Sequence, residues 1–284
     1  MNLIIWQIII FILRNIFITG ASSYLGKNLL SKLENYKIYA LENKTKIEKK
    51  ENVIPINTLP DNLNVFFNEF EIDHVIHLAT NSERNIENIQ ISKIVNTNIL
   101  LGFNILSSSL NSPVKKVISA GTYSQDVLEQ PLSFYTLSKQ YFQDLQEFYS
   151  KEYEIQNTSI HFGDIYGPND NRDKLIPYIK KNEDSNEIVL NSDGNGFLSP
   201  VFIEDALDSI INELILDNEP HYSLQTSASE LLLVKDFVEE YKKIRKKDFK
   251  VRYLDKDQHK YSETTKFQPS TKLKYPLEKG LKLI

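Results

Sequence analysis

Short runs of consecutive apolar residues alternate along this chain with segments whose apolar positions recur every three or four residues, the pattern of buried strands separated by helices. Residues 16–19 predict a first strand, which breaks at Gly20 and re-enters as a helix to residue 30. Residues 37–41 predict a second strand ending in Glu42, 53–56 a third, and 63–70 a helix, with the lysine-rich 44–51 as a surface connection. The apolar run at 73–79 suits a strand buried on both faces. A long helix over 89–110, a strand over 114–118 and a helix over 134–149 follow. Strands alternating with helices in this way predict an α/β doubly wound parallel sheet.

From Tyr166 the pattern loosens. It predicts helices near 173–181, 202–217 and 231–244 and strands at 187–190 and 250–254. These read as a smaller C-terminal lobe, 166–284, covering the edge of a main domain at 14–165 and partly returning to its sheet. Residues 1–13 are apart: 3–13 are apolar except for Gln7. That run is shorter than the ~20 residues of a spanning helix. It also lacks the basic start and small-residue cleavage site of a signal peptide. The expectation is an extension ahead of the fold, with a peripheral membrane or partner anchor as the alternative.

The formal charge of −5 and pI near 5.7 give no pull toward nucleic acid or an anionic membrane. The chain has no cysteine, which excludes disulfides, thiolate metal sites and a cysteine nucleophile and fits a reducing, cytoplasmic setting. The basic cluster at 242–250 reads as a solvated helix end.

The first strand–helix turn changes the picture most. Gly20 can take a positive-φ corner, and Gly26 lets the helix lie close on the strand. Between them Ser22, Ser23, Tyr24 and Leu25 offer the unpaired N–H groups of a helix start, a seat for a pyrophosphate. Ser23 stands where a dinucleotide fingerprint has its middle glycine. Glu42 follows Gly20 by 22 positions, near the ~20 at which a carboxylate meets the adenosine ribose. A carboxylate there repels a 2′-phosphate and favours NAD over NADP, although Lys44 works against it. His77, inside the apolar run, reads as a packed histidine. Ser119 is expected at a strand's carboxyl end, where ligands of such sheets bind. Tyr135 and Lys139, four apart, share one helical face, and an ammonium beside a phenol lowers the phenol's pKa toward proton exchange near neutrality.

Together these residues resemble the extended short-chain dehydrogenase/reductases, specifically the NAD-dependent epimerase/dehydratase group acting on nucleotide sugars. The resemblance is carried by Thr19-Gly20 to Gly26, Val75-Ile76-His77-Leu78-Ala79, Asn98, Ser119 with Tyr123, Tyr135 with Lys139, Asp164-Ile165-Tyr166-Gly167-Pro168 and Val201-Phe202-Ile203-Glu204-Asp205-Ala206. Tyr135 to Gln140 and Tyr166 to Asp170, with Arg172 and Lys174, look most like the CDP-abequose and CDP-paratose synthases, which reduce a 4-keto sugar.

The resemblance implies a Rossmann-type fold binding NAD(P), with Leu78, Ala79, Thr80 and Asn98 beside the glycine turn. It makes Tyr135 the proton donor or acceptor, Lys139 the holder of the nicotinamide ribose, and Ser119 the hydrogen-bond partner of the sugar C4 oxygen, with Thr122 as a second hydroxyl. Asp164 stands where an asparagine usually contacts substrate, and His161 where many members have arginine. Leu101 replaces a helix glycine, and Leu198-Ser199 replace an Arg-Asp pair, so Arg172 or Lys174 would have to grip the nucleotide phosphate. Ala120-Gly121 stand where a 4,6-dehydratase has Asp-Glu, which disfavours dehydration. A 4-ketoreductase is the favoured reading, a 4-epimerase the alternative, and a non-catalytic dinucleotide sensor or scaffold a third. The two long helices imply a homodimer.

Overall fold

The computed structural model describes residues 14–42, 45–59, 61–82, 88–127, 133–216, 222–254, 267 and 269–284; the apolar 1–13 lie outside the described residues. In chain order the elements are β1 (Asn15–Thr19), α1 (Tyr24–Leu30), β2 (Lys37–Leu41), β3 (Val53–Ile56), α2 (Leu63–Glu69), β4 (Ile72–His77) and α3 (Asn88–Ile94). A π-helical turn (Val95–Leu100) leads into α4 (Leu101–Ser109), followed by β5 (Lys116–Thr122), α5 (Ser124–Val127), α6 (Phe134–Tyr153) and β6 (Gln156–Phe162). The second half holds β7 (Asp164–Tyr166), α7 (Leu175–Asn182), β8 (Glu187–Leu190), β9 (Phe197–Leu198), β10 (Pro200–Phe202), α8 (Ile203–Ile215), β11 (Tyr222–Ser227), β12 (Leu232–Leu233), α9 (Val234–Arg245), β13 (Lys250–Tyr253) and α10 (Leu277–Lys282).

Seven strands form one sheet in the order β11-β6-β5-β4-β1-β2-β3, every pairing parallel. Strand alternation divides the core in two. Ile16, Ile18, Ile76, Ile118 and Ile160 face the side where Leu25 and Leu29 of α1 and Ala206 and Ile210 of α8 pack. Phe17, Val75 and Val117 face α2, α4 and α6 through Phe67, Ile105, Leu106 and Phe142. The order of strands reverses between β1 and β4, the switch point at which such sheets leave a crevice at their carboxyl ends.

Two of these strands are absent from the hydrophobic pattern. β6 is rich in polar residues, yet Asn157, Thr158, Ser159 and His161 are all buried. Their partners come from the flanking helices: Asn157 Nδ2 donates to Ser150 Oγ at 2.9 Å and Thr158 Oγ1 to Glu213 Oε2 at 2.7 Å. β11 pairs with β6 along its whole length, so the second half of the chain returns to the main sheet through both α8 and β11. The remaining short strands pair as β7 with β10, β8 with β13 and β9 with β12. The basic end of α9 is paired rather than simply solvated: Arg245 reaches Glu183 at 2.9 Å and Lys247 reaches Asp184 at 2.6 Å.

At the amino end of β5, Lys116 is 2% exposed; its Nζ donates to the carbonyls of Glu213 (3.0 Å) and Leu216 (2.7 Å) and lies 3.7 Å from the buried Glu213 carboxylate. Lys116→Met would leave that carboxylate without its cation. A loss of about 3 kcal/mol in urea unfolding is expected, partly recovered in Lys116→Met/Glu213→Gln, where no buried charge remains.

Candidate functional site

The site is built where β1 meets its helix. Gly20 adopts φ +72°, and a Cβ there would stand 2.5 Å from the Ala79 nitrogen. A Cβ on Gly26 would stand 2.4 Å from the Gly20 carbonyl oxygen. The turn therefore lies directly on the exit of β4, where Leu78 N donates to Thr19 O at 3.0 Å and Ala79 N to Thr19 Oγ1 at 3.3 Å. Ser23, in the place of a glycine, has an ordinary φ of −69°, and its Oγ accepts the Gly26 N–H at 3.0 Å as the N-cap of α1. No glycine is needed there, and one N–H of the turn is satisfied internally. Ser22 is half-buried and Leu25 is buried beneath the turn.

Tyr24, the first residue of α1, is fastened from the second half of the chain. Its hydroxyl donates to the Pro168 carbonyl at 3.0 Å, and the Arg172 guanidinium lies 4.6 Å from its ring centroid. Arg172 is itself fixed by both oxygens of Asp170 and by the Ile165 carbonyl. Three of its hydrogen bonds are thus spent on Asp170 and Ile165, and its guanidinium face on the Tyr24 ring. Lys174 is exposed at the start of α7.

His77 is packed, as its apolar surroundings predict. Its Nδ1 lies 2.7 Å from Thr19 Oγ1 and its ring meets Phe142 edge-on. Burial, aided by the nearby Lys139 cation, pushes the imidazole down to about 3, so it is neutral at any working pH. Asn98 lies in the π-turn that interrupts the expected continuous helix. It is buried, donating to the Asn81 carbonyl (3.0 Å) and Ser138 Oγ (2.9 Å) and accepting from Asn81 N (2.7 Å) and Thr80 Oγ1 (3.3 Å). It thus ties the loop beyond β4 to α6 next to Lys139. Gly102, one place after Leu101, supplies the close helix approach: a Cβ there would meet the Phe142 ring.

Ser133 caps α6, accepting from Thr136 N at 3.1 Å, and so fixes Tyr135 and Lys139 on its first turns. Tyr135 is half-buried and Lys139 is 4% exposed. The Lys139 ammonium donates to the Ala120 carbonyl at 2.7 Å, near the carboxyl end of β5, and burial pushes it down to about 8. A perturbed lysine one turn from a tyrosine, at a sheet's ligand-binding edge, is a proton-handling arrangement.

Ser119 requires a correction. β5 continues three residues past it to Thr122, and the Ser119 hydroxyl donates to Gln146 Oε1 at 2.6 Å in the sheet–helix layer. Gln146 follows Tyr135 by 11 residues on α6, about 16 Å of helical rise. The hydroxyl that ends the strand belongs to Thr122, whose N–H donates to Gln125 Oε1 at 2.9 Å. His161 is buried with Nδ1 2.7 Å from Asp126 Oδ1, so it does not replace an arginine at a phosphate. Asp164 Oδ2 accepts from Ser199 N at 2.9 Å, joining the start of β7 to the chain before β10. Glu42 lies at the end of β2, but Oε1 accepts from Ile47 N (2.7 Å) and Oε2 from Lys46 Nζ (3.0 Å). These two donors, Ile47 first, hold its carboxyl below the usual range. The acid expected to face a ribose is engaged in its own loop.

Asn81, Asp126 and Gln146 carry no signal in the sequence, and Thr19 stands there only as the head of the glycine-turn motif. Each acts through a partner distant in the chain. Among the described residues no cluster of His, Asp and Glu could hold a metal ion, and no described helix is long and apolar enough to cross a membrane.

Residues 16–220 match the family model described as the NAD dependent epimerase/dehydratase family. A CDP-abequose synthase of Salmonella muenchen is 27% identical over 252 residues, 84% of each chain, and a putative UDP-glucose 4-epimerase of Methanocaldococcus jannaschii is 23% identical over 72% of this chain and 74% of its own. Among solved structures, a UDP-glucose 4-epimerase of Thermotoga maritima with UDP-glucose superposes with a TM-score of 0.80 at 20% identity, covering 95% of this chain and 96% of the other. A UDP-glucuronic acid 4-epimerase variant of Bacillus cereus, complexed with a fluorinated UDP-sugar and NAD, superposes with a TM-score of 0.78 at 18% identity, covering 95% and 97%. With the glycine turn, the seven parallel strands and the Tyr135–Lys139 helix in place, this chain belongs to the NAD-dependent epimerase/dehydratase family of nucleotide-sugar enzymes.

Proposed function

We propose that this protein moves a hydride between NAD(P) and C4 of a nucleotide-activated sugar, acting as a 4-ketoreductase. The observation that carries this reading is the Lys139 ammonium on the Ala120 carbonyl at the carboxyl end of β5, with Tyr135 one turn earlier on the same helix. The bound nicotinamide supplies the hydride. Tyr135 delivers the proton to the C4 oxygen, and Lys139, charged below about pH 8, favours the phenolate that is left. Thr122, in place of Ser119, hydrogen-bonds the C4 oxygen. Ala120 and Gly121 carry no acid or base, which argues against dehydration. Lys174, exposed at the start of α7, is the residue we assign to the nucleotide phosphate.

The similarity to CDP-abequose synthases over 84% of the chain favours reduction. The 4-epimerases among the structural relatives are the ground for the second reading, since the same pair of residues serves both reactions. The test is NADH and NADPH oxidation against intact CDP-, dTDP-, GDP- and UDP-linked 4-keto-6-deoxy sugars. Oxidation with one of them is expected, reduced at least a hundredfold in Tyr135→Phe with cofactor binding retained. Silence across the panel, with interconversion of C4 epimers, would replace the ketoreductase by the epimerase.

We further propose a homodimer through α4 and α6. Leu100 and Phe103 on the π-turn and α4, and Tyr141, Phe148 and Tyr153 on α6, are between 40% and 51% exposed, an apolar surface suited to a second copy. Light scattering is expected to give twice the chain mass, and Phe103→Glu/Phe148→Glu a monomer.

Lys139 makes activity and stability oppose one another. In the unfolded chain its proton is held to near 10.5, but in the folded chain only to about 8, so the buried charge destabilises the fold at neutral pH. Lys139→Met is expected to gain about 1–3 kcal/mol at pH 7 while losing turnover. The gain should shrink as pH rises from 8 to 10.5, where the native lysine sheds its charge in both states. Urea unfolding across that range measures the gain, and wild-type turnover should decline above about pH 8.

A further inference from the structure

The register of the sheet sets the edge at which the adenosine half of a dinucleotide would lie. Ile18 pairs with Ala40, and Gly20 and Glu42 are the first residues past the carboxyl ends of the adjacent strands β1 and β2. Glu42 N donates to the Ile56 carbonyl at 2.8 Å, which joins the end of β2 to that of β3. A glutamate at this place would read a ribose by accepting its hydroxyls. Here the Glu42 side chain is only 3% exposed, with one oxygen on Ile47 N and the other on Lys46 Nζ.

What stands outermost is Lys46. Its side chain is 78% exposed while its ammonium is held 3.0 Å from Glu42 Oε2 and 3.2 Å from Asn57 Oδ1, over the ends of β2 and β3. Two acceptors thus fix a long side chain that would otherwise be mobile, and they engage two of its three donors. An ammonium fixed beyond the carboxyl ends of β2 and β3, with a neighbouring carboxylate neutralised by it, is suited to a phosphate on the 2′ oxygen and gains less from a bare 2′-hydroxyl.

We propose that Lys46 is the 2′-phosphate contact of this site and that the protein takes NADP(H) in preference to NAD(H), reversing the preference that Glu42 implies from its position alone. The assignment rests on the dinucleotide-binding reading of the Gly20 turn. Calorimetric titration of the full chain with NADPH and with NADH tests it. NADPH should bind about tenfold more tightly, the gain from one charge-assisted contact, and the difference should fall as salt is raised. Lys46→Ala should weaken NADPH binding about tenfold more than NADH binding, and Lys46→Arg should keep the preference. Equal or tighter binding of NADH, or a preference untouched by Lys46→Ala, overturns the assignment and leaves the dinucleotide site intact. Failure of both dinucleotides to bind overturns it together with the reading on which it rests.

Discussion

The backbone of Gly20 runs against the backbone of Leu78 and Ala79, closer than any side chain could permit. This approach seats the first turn on the exit of the neighbouring strand, so that β1 and β4 open a crevice between their carboxyl ends instead of closing over it. With every strand of the main sheet parallel, all the other carboxyl ends reach the same edge. α6 brings Lys139 to that edge, on the Ala120 carbonyl, with Tyr135 one turn earlier on the same helix.

The interior holds many buried polar groups, and their hydrogen bonds tie together segments remote in sequence. Asn98 joins the loop after β4 to α6, Gln146 anchors Ser119, and Asp126 orients His161. Buried polar groups are tolerated when paired, and paired in this way they fix α6 against β4, β5 and β6 with a directionality that apolar contacts lack. The Lys139 charge is the exception to this balance, since burial displaces it toward neutrality. A group held out of its preferred state at the edge where a ligand binds is the expected signature of a residue retained for chemistry rather than for the fold.

The smaller lobe is not an appendage. Arg172 and Pro168 hold Tyr24 at the start of α1, while β11 completes the main sheet and α8 packs on its face. The segment from Pro168 to Arg172 is therefore mechanically joined to the glycine turn.

Much of the fold was legible because buried parallel strands leave continuous apolar runs, and β1 to β5 left them. Polar β6 and β11 did not, because their burial depends on partners supplied by α6 and α8. The glycine turn and the Tyr135–Lys139 spacing were also legible, since local sterics and helical geometry suffice to interpret them. The states of individual polar side chains were not. Ser119 looked like an exposed strand-end hydroxyl, Glu42 an open ribose acceptor and Arg172 a waiting phosphate ligand, and each is engaged by a group that sequence spacing does not reveal. Sequence by itself determined which elements form and which residues share a face, because those follow from periodicity and backbone freedom. Only the tertiary structure decided which polar atoms remain available, because a hydrogen bond depends on where the rest of the chain places its donors and acceptors.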